Sequence, residues 1–104
     1  MLQIRPNCEW CDRDLPPASP DARICSYECT YCAACVDEIL ENICPTCGGG
    51  FQVRPIRPKQ NLREGKTLGL RHHPASEKRI HSPFTEEDVK AHVARVKTIP
   101  AGER

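Results

Sequence analysis

Residues 25–47 read CSYECTYCAACVDEILENICPTC and hold six of the eight cysteines of a 104-residue chain. The other two, Cys8 and Cys11, form a further C-x2-C pair upstream. The full spacing is C-x2-C, thirteen residues, C-x3-C-x2-C-x2-C, eight residues and C-x2-C. Two close cysteine pairs can complete one tetrahedral zinc shell, with Zn–S bonds of about 2.3 Å. Eight thiols in four close pairs therefore predict two all-cysteine zinc sites.

Disulfides are the first alternative, because small secreted scaffolds are rich in cysteine. Residues 1–7, however, contain no apolar stretch of signal-peptide length, and no segment approaches a membrane span. Closely spaced C-x2-C pairs are also more typical of metal sites than of independent bridges. We therefore prefer metal over disulfide, and we expect a cytoplasmic protein that makes no membrane contact.

Iron–sulfur binding is the rival metal hypothesis. The run from Cys25 to Cys32 has the spacing of radical enzymes that cleave adenosylmethionine, but those enzymes need a barrel that this chain is too short to build. The run from Cys29 to Cys35 followed by Cys44-Pro is similar to a ferredoxin motif, whose last gap is about three residues. Here that gap is eight residues. Both motifs leave Cys8 and Cys11 without a role, so zinc is preferred.

The apolar core available to this chain is thin, with two Phe, two Tyr and one Trp. A domain of about fifty residues is marginal on such a core. A structural zinc ion can supply on the order of 10–16 kcal/mol of apparent binding energy, which becomes folding energy. We divide the chain into a metal-dependent head (residues 1–53), a basic flexible linker (residues 54–84) and a short C-terminal helix and end (residues 85–104).

An apolar stripe follows Cys35, and it has the period of a short helix that Asn42 could end. We interpret the stripe as core rather than as a surface for a partner protein. If it were a partner surface, that surface would consist of Val36, Ile39, Leu40, Ile43 and Pro45.

Charge is divided unevenly along the chain. Residues 1–50 carry three basic and eight acidic side chains, whereas residues 51–104 carry twelve basic and six acidic ones. From residue 59 to residue 81 there is little apolar content and no periodicity, which predicts disorder. The basic tail could bind nucleic acid weakly and without sequence preference, or it could dock on the acidic head or on an acidic partner. Its candidate contacts are Arg54, Arg57, Lys59, Arg63, Lys66, Arg71, Lys78 and Arg79.

A second helix is predicted over residues 86–97. Thr85 and Asp88 fit a capping box, and Val89, Val93 and Val96 form a narrow apolar stripe. An isolated helix of this length is marginal. For the basic tail, we expect that truncation after Arg57 removes nucleic-acid binding and leaves the head folded.

Two arrangements of the four cysteine pairs use all eight sulfurs. The sequential arrangement gives the groups Cys8, Cys11, Cys25, Cys29 and Cys32, Cys35, Cys44, Cys47. The crossed arrangement gives Cys8, Cys11, Cys32, Cys35 as site 1 and Cys25, Cys29, Cys44, Cys47 as site 2. Loop length permits both arrangements, so the spacing does not choose between them.

The pattern over residues 8–47 resembles a RING finger, with Cys29 where the common form has histidine and with a matching Pro45. This resemblance implies the crossed arrangement. The segments RPNCE, CDRDLPP and ARICSYECTYC also resemble a small bacterial family of unknown function, domain of unknown function twelve seventy-two, over residues 1–58. Together they imply a small metal-stabilised α+β protein with a RING-like cross-braced treble clef, two all-cysteine Zn²⁺ sites and a largely disordered tail.

Ubiquitin ligation is disfavoured by two departures from the RING ligase pattern. Those ligases usually carry an aliphatic residue after the first ligand and often an Arg after the last, where this chain has Glu9 and Gly48. Shared fold does not carry shared function. With no catalytic constellation in view, we expect a monomeric, non-enzymatic protein-interaction module. A nucleic-acid-binding zinc protein is the alternative, and an iron–sulfur or redox protein comes third.

Overall fold

Three short strands form the antiparallel sheet at the centre of the fold. The strands are β1 (Ala22–Ile24), β2 (Thr30–Cys32) and β3 (Gln52–Val53), arranged in the order β2-β1-β3. Helix α1 (Ala33–Glu38) follows β2 directly, and helix α2 (Glu86–Val96) lies near the C-terminus. This computed structural model describes all residues, 1–104. The protein is therefore a small α+β fold with a three-stranded sheet.

Strands β1 and β2 form a hairpin that brings cysteines to its ends. Ala22 pairs with Cys32 and Ile24 pairs with Thr30, so the loop from Cys25 to Cys29 lies at the tip. At the other end, Cys32 is both the last residue of β2 and the N-cap of α1. A closing strand after the last cysteine pair was expected from the sequence, and β3 pairs with β1 there.

Helix α1 is shorter than the apolar stripe predicted. It ends at Glu38, with Ile39 as its C-cap, rather than at Asn42. Glu41 and Asn42 both adopt left-handed backbone conformations, with φ of 49° and 58°. The Asn42 side chain also accepts a hydrogen bond from the Phe51 N–H at 3.0 Å, which holds this turn against the segment entering β3. Asparagine tolerates the left-handed region better than most residues, so the chain turns here instead of continuing the helix.

The apolar stripe lies in the core. Val36, Leu40 and Ile43 are each at most 3% exposed, Pro45 is buried and Ile39 is half-buried. These side chains are therefore not displayed as a partner surface.

The prediction of a largely disordered tail is wrong, because the tail is ordered and lies against the head. Backbone hydrogen bonds join Ser76 N–H to Ile4 O at 2.9 Å and Ser82 N–H to Glu9 O at 2.7 Å. These bonds satisfy main-chain groups in a segment that has few apolar side chains. A segment held by main-chain hydrogen bonds needs no periodic pattern of apolar residues in its sequence. Its composition therefore indicated disorder although it is ordered.

Asn7 makes the most buried of these contacts between head and tail. Its side-chain amide donates to Ile80 O at 2.8 Å, and its side-chain oxygen accepts from Ile80 N–H at 3.2 Å. Asn7 is fully buried. A buried amide without hydrogen-bond partners would destabilise the fold. The backbone of Ile80 supplies these partners, so the tail stabilises the head.

Helix α2 confirms the capping box and packs on the head. Thr85 accepts from Asp88 N–H at 3.1 Å, and the Asp88 carboxylate accepts from Thr85 N–H at 3.2 Å. Val89, Val93 and Val96 are at most 6% exposed and belong to the same apolar cluster as the head residues. Tertiary packing therefore stabilises a helix that would be marginal alone. None of the helices combines the length and the apolar composition of a transmembrane helix.

Candidate metal centres

The first group of thiols comprises Cys8, Cys11, Cys32 and Cys35, whose sulfurs all lie within 4.8 Å of one another. The Cys11 and Cys32 sulfurs are 3.8 Å apart. Four sulfurs at the corners of a tetrahedron with Zn–S bonds of about 2.3 Å would be separated by about 3.8 Å. The group therefore has the size of a shell around one ion.

The second group comprises Cys25, Cys29, Cys44 and Cys47. The sulfurs of Cys25, Cys44 and Cys47 lie within 4.8 Å of one another. The Cys29 thiol lies close enough to the Cys44 and Cys25 thiols to interact with them. Both groups could hold a metal ion.

The two groups interleave along the chain. Site 1 takes the first and third cysteine pairs, and site 2 takes the second and fourth. The structure thus brings the sulfurs together in the crossed arrangement. The β1–β2 hairpin explains this geometry, because it places Cys25 and Cys29 at one end and Cys32 at the other.

Two of the C-x2-C turns share one backbone geometry. In the first, Asp12 N–H donates to Cys8 O at 3.0 Å and Cys8 N–H donates to Arg13 O at 2.8 Å. In the last, Gly48 N–H donates to Cys44 O and Cys44 N–H donates to Gly49 O, both at 2.8 Å. The residue after the second cysteine has a positive φ in each turn, 65° at Asp12 and 80° at Gly48.

Backbone N–H groups point at the sulfurs of site 2. Tyr27 N–H donates to Cys25 Sγ at 3.3 Å, and Gly49 N–H donates to Cys47 Sγ at 3.4 Å. A donor aimed at sulfur stabilises the thiolate, which is the form that binds metal. The backbone of these loops therefore favours the thiolate forms of Cys25 and Cys47.

The thiols in each group differ in acidity. A hydrogen bond from Cys44, together with one from Cys25, lowers the pKa of Cys29 to about 6. Burial raises the pKa of Cys25 to about 11, and the hydrogen bond to Cys29 raises the pKa of Cys44. In site 1, burial opposes ionisation of Cys11, but the N–H of Arg13 and the neighbouring thiols outweigh it and lower its pKa. The pKa shifts thus favour the thiolate at Cys29 and Cys11 and oppose it at Cys25 and Cys44.

Glu9 and Arg5 connect the first turn to the sheet beside site 2. Glu9 N–H donates to Thr30 O at 2.9 Å, and the Glu9 carboxylate accepts from Thr30 N–H at 2.5 Å. Arg5 donates to the same carboxylate at 2.8 Å and also lies beside the Cys29 thiol. Glu9 is 6% exposed, so this ion pair is partly shielded from water. Sequence reasoning noted Glu9 only as a departure from the RING ligase pattern.

Helix α2 contacts the last cysteine turn. His92 Nε2–H donates to Cys44 O at 2.9 Å, which ties the helix to a metal-ligand candidate. A Cβ built on Gly48 would lie 3.7 Å from Val96 Cγ1, so the helix covers this turn closely. Sequence analysis missed His92. The available signal was its position three residues after Val89, on the side of the helix that faces the core.

The basic residues considered for nucleic-acid contact have four different environments. Arg54 is 1% exposed and donates to Leu15 O and to two other backbone carbonyls, so it cannot reach a ligand. Arg57 is half-buried and donates to His73 O at 2.7 Å. Arg79 pairs with Asp12 and Asp14, which docks this part of the tail on the acidic head. The other five are exposed and make no salt bridge: Lys59, Arg63, Lys66, Arg71 and Lys78.

Comparison with known proteins places the chain in a family. A family model described as "Protein of unknown function (DUF1272)" matches residues 1–57. The chain belongs to this family. A relative of the DUF1272 protein, an uncharacterized protein of Rhizobium meliloti (strain 1021), is 49% identical over 83 residues, covering 80% of this chain and 89% of the relative. No solved structure matches the chain.

The family resemblance expected from the sequence is thereby confirmed. All eight cysteines of this DUF1272 protein fall inside the matched residues 1–57. The match therefore covers both candidate metal centres and β3, whereas helix α2 lies beyond it.

Proposed function

We propose that this DUF1272 protein binds two structural Zn²⁺ ions, one in each four-thiol group, within a RING-like cross-braced treble clef. The interleaving of the two groups supports the cross-brace. The order of cysteine turn, hairpin and helix supports the treble clef, since β1, β2 and α1 follow one another between the cysteine pairs. All-cysteine tetrahedral shells are typical of structural zinc.

The compactness of site 1 favours a single ion over an iron–sulfur cluster. In a cluster, the cysteines ligate different iron atoms, which holds their sulfurs further apart. The four sulfurs of site 1 lie within 4.8 Å of one another, which leaves room for one ion. A tetrahedral S₄ site is diagnostic of zinc or iron.

We predict two zinc ions per chain. Native mass spectrometry of the purified protein measures the stoichiometry, and metal analysis identifies the element. Cadmium-substituted NMR is expected to couple one ion to Cys8, Cys11, Cys32 and Cys35. Coupling of a single ion to both Cys8 and Cys25 would exclude the crossed arrangement, and a coloured protein that contains iron would exclude zinc.

We further propose that the protein is a monomeric, cytoplasmic, non-enzymatic protein-interaction module, and that the loop from Cys25 to Cys29 contributes to its contact surface. Tyr27 carries this proposal, because its side chain is 73% exposed on a loop that two metal-ligand candidates fix in place. Tyrosine is enriched at protein interfaces, where its ring packs against apolar groups and its hydroxyl forms hydrogen bonds. A rigid loop presents such a side chain at low entropic cost.

Site-specific photocrosslinking in the native cell tests this contact. A photoreactive residue in place of Tyr27 is expected to yield a discrete protein adduct. The matched control is the same residue in place of Asp37, which is exposed on α1 away from the loop's tip. Equal adducts at both positions, or none at Tyr27, would contradict a partner surface on this loop.

Nucleic-acid binding is the second candidate, favoured by the five exposed basic residues that have no acidic partner. We predict weak, sequence-independent binding at low salt that is largely lost near about 150 mM salt. The segment carries no Phe, Tyr or Trp between residues 54 and 81 for base stacking. Fluorescence anisotropy with unrelated oligonucleotides measures this, and the Arg63→Gln/Lys66→Gln variant should weaken binding. Tight binding of one sequence at about 150 mM salt would promote this candidate instead.

A further inference from the structure

Residues 58–73 form a loop whose two ends meet at a closed neck. Leu70 N–H donates to Pro58 O at 2.9 Å across the neck. Gly69 has a φ of 95°, and a Cβ at this position would lie 2.8 Å from the Gln60 backbone. No residue other than glycine fits there without moving the chain. The neck therefore keeps residues 59 and 60 beside residues 71 and 72.

Bonds inside the loop hold its shape. The Asn61 side chain accepts from Leu68 N–H at 3.3 Å and donates to Lys66 O. The His73 ring bonds Thr67 O at 3.0 Å. Compact loops of this kind, closed at the base and braced internally, are frequently functional.

A polar cavity of about 420 Å³ lies at this neck. None of its lining residues is hydrophobic, and none carries a carboxylate. The only acidic residue of the loop, Glu64, does not line it. The lining residues are Lys59, Gln60, Asn61, Arg71 and His72.

The cationic side chains of this cavity form no salt bridge within the protein. Neither Lys59 nor Arg71 forms a salt bridge, in contrast to Arg79, which pairs with two aspartates. Cations that line one cavity repel each other, and a recess lined by one sign of charge attracts ions of the other sign. The closed neck holds the Lys59 and Arg71 side chains at one cavity. A bound anion would therefore reduce the repulsion between their positive charges.

We propose that this cavity binds the phosphate group of a small, polar phosphate monoester. The Arg71 guanidinium matches phosphate oxygens in a bidentate fork, and the Lys59 ammonium supplies a compact second charge. His72 adds a ring nitrogen as a donor. The Gln60 side chain is exposed and lines the cavity, so it can bond a hydroxyl of the ester's polar part.

The lining also selects against other anions. The cavity has no Phe, Tyr or Trp for a nucleobase to stack on, and the His72 ring is the only aromatic group in its lining. Inorganic phosphate shares the dianionic chemistry but has no hydroxyl-bearing part for Gln60 to recognise. The experiment therefore compares the two sources of the same anion.

Isothermal titration of the full-length, metal-loaded protein with glycerol phosphate, at constant ionic strength, tests the proposal. Saturable one-to-one binding is expected, with NMR shifts centred on Lys59, Gln60, Arg71 and His72. Arg71→Gln and Lys59→Gln should each weaken binding by about tenfold or more. Lys78→Gln removes an exposed charge outside the cavity and is the matched control, which should bind as the native protein does.

Two further measurements separate the cavity from charge alone and from its rival ligands. Gly69→Ala should open the neck and abolish binding while the NMR signals of the head remain unchanged. Absence of saturation up to about 10 mM, or equal weakening by Lys78→Gln and Arg71→Gln, would overturn the proposal. Binding of inorganic phosphate as tight as that of the ester would overturn the ester assignment. Tighter binding of a single-stranded oligonucleotide by the same residues would also overturn the ester assignment, and it would indicate a nucleic-acid ligand.

Discussion

Removing the metal from both thiol groups is expected to unfold residues 8–53 entirely. Structural zinc contributes on the order of 10–16 kcal/mol of apparent free energy, whereas small domains are stable by only about 5–15 kcal/mol in total. Most of the thiols are buried at the centre of the apolar cluster, so their loss as ligands leaves little else to hold the sheet and α1 together. Far-UV circular dichroism and amide NMR after chelation measure the effect.

The variant Cys32→Ser should come close to the same result through site 1 alone. Cys32 is 1% exposed and links β2 to α1, so its loss disrupts the metal shell and both elements. Ser26→Ala alters an exposed residue in the loop of site 2 and serves as the control, with native spectra expected. A stripped protein with native-like spectra would show that the apolar core suffices without metal.

Deleting residues 83–104 is expected to lower the free energy of unfolding by about 4–5 kcal/mol, because full burial of one valine side chain contributes about 1.5 kcal/mol or more. The deletion removes Val89, Val93 and Val96 from the core and the His92 bond from the last cysteine turn. This reverses the sequence-based expectation that truncation after Arg57 leaves the head intact. Urea unfolding of the metal-loaded protein, followed by Trp10 fluorescence, measures the change.

A point variant separates packing from chain length in this prediction. Val93→Ala should lower the free energy of unfolding by about 2 kcal/mol, since it removes two buried methyl groups and leaves a cavity. Lys97→Ala changes an exposed residue at the end of α2 and should have little effect. An unchanged urea midpoint in both the deletion and Val93→Ala would mean that α2 does not stabilise the head.

The two groups of thiols were the most predictable part of this protein. The spacing of paired cysteines predicts their geometry, because a C-x2-C motif places two sulfurs in one turn. The capping box at Thr85 and Asp88 was equally local, and it located α2 to within one residue. Spacing alone left the choice between crossed and sequential groups open. That choice depends on the register of the β1–β2 hairpin, which is set by pairing between residues of two different strands.

The tail was mispredicted because its contacts are polar and distant in sequence. Arg57 donates to Leu2 O at 2.7 Å and Asn7 bonds to Ile80, and neither contact produces a hydrophobic period. Helix α1 was predicted too long for a different reason. The apolar stripe marks burial, and Leu40 and Ile43 are buried from a turn as effectively as they would be from a helix.

The bonds between Asn7 and Ile80 have a consequence for the order of events during translation. The amino-terminal part of a chain emerges from the ribosome first, yet the partner of Asn7 is synthesised 73 residues later. The nascent chain can gather all eight thiols once Cys47 has emerged. Its buried amide still lacks its bonds to Ile80, and the core still lacks α2, until the ribosome has added residues 80–96. The head therefore completes its fold only after this later segment has left the ribosome.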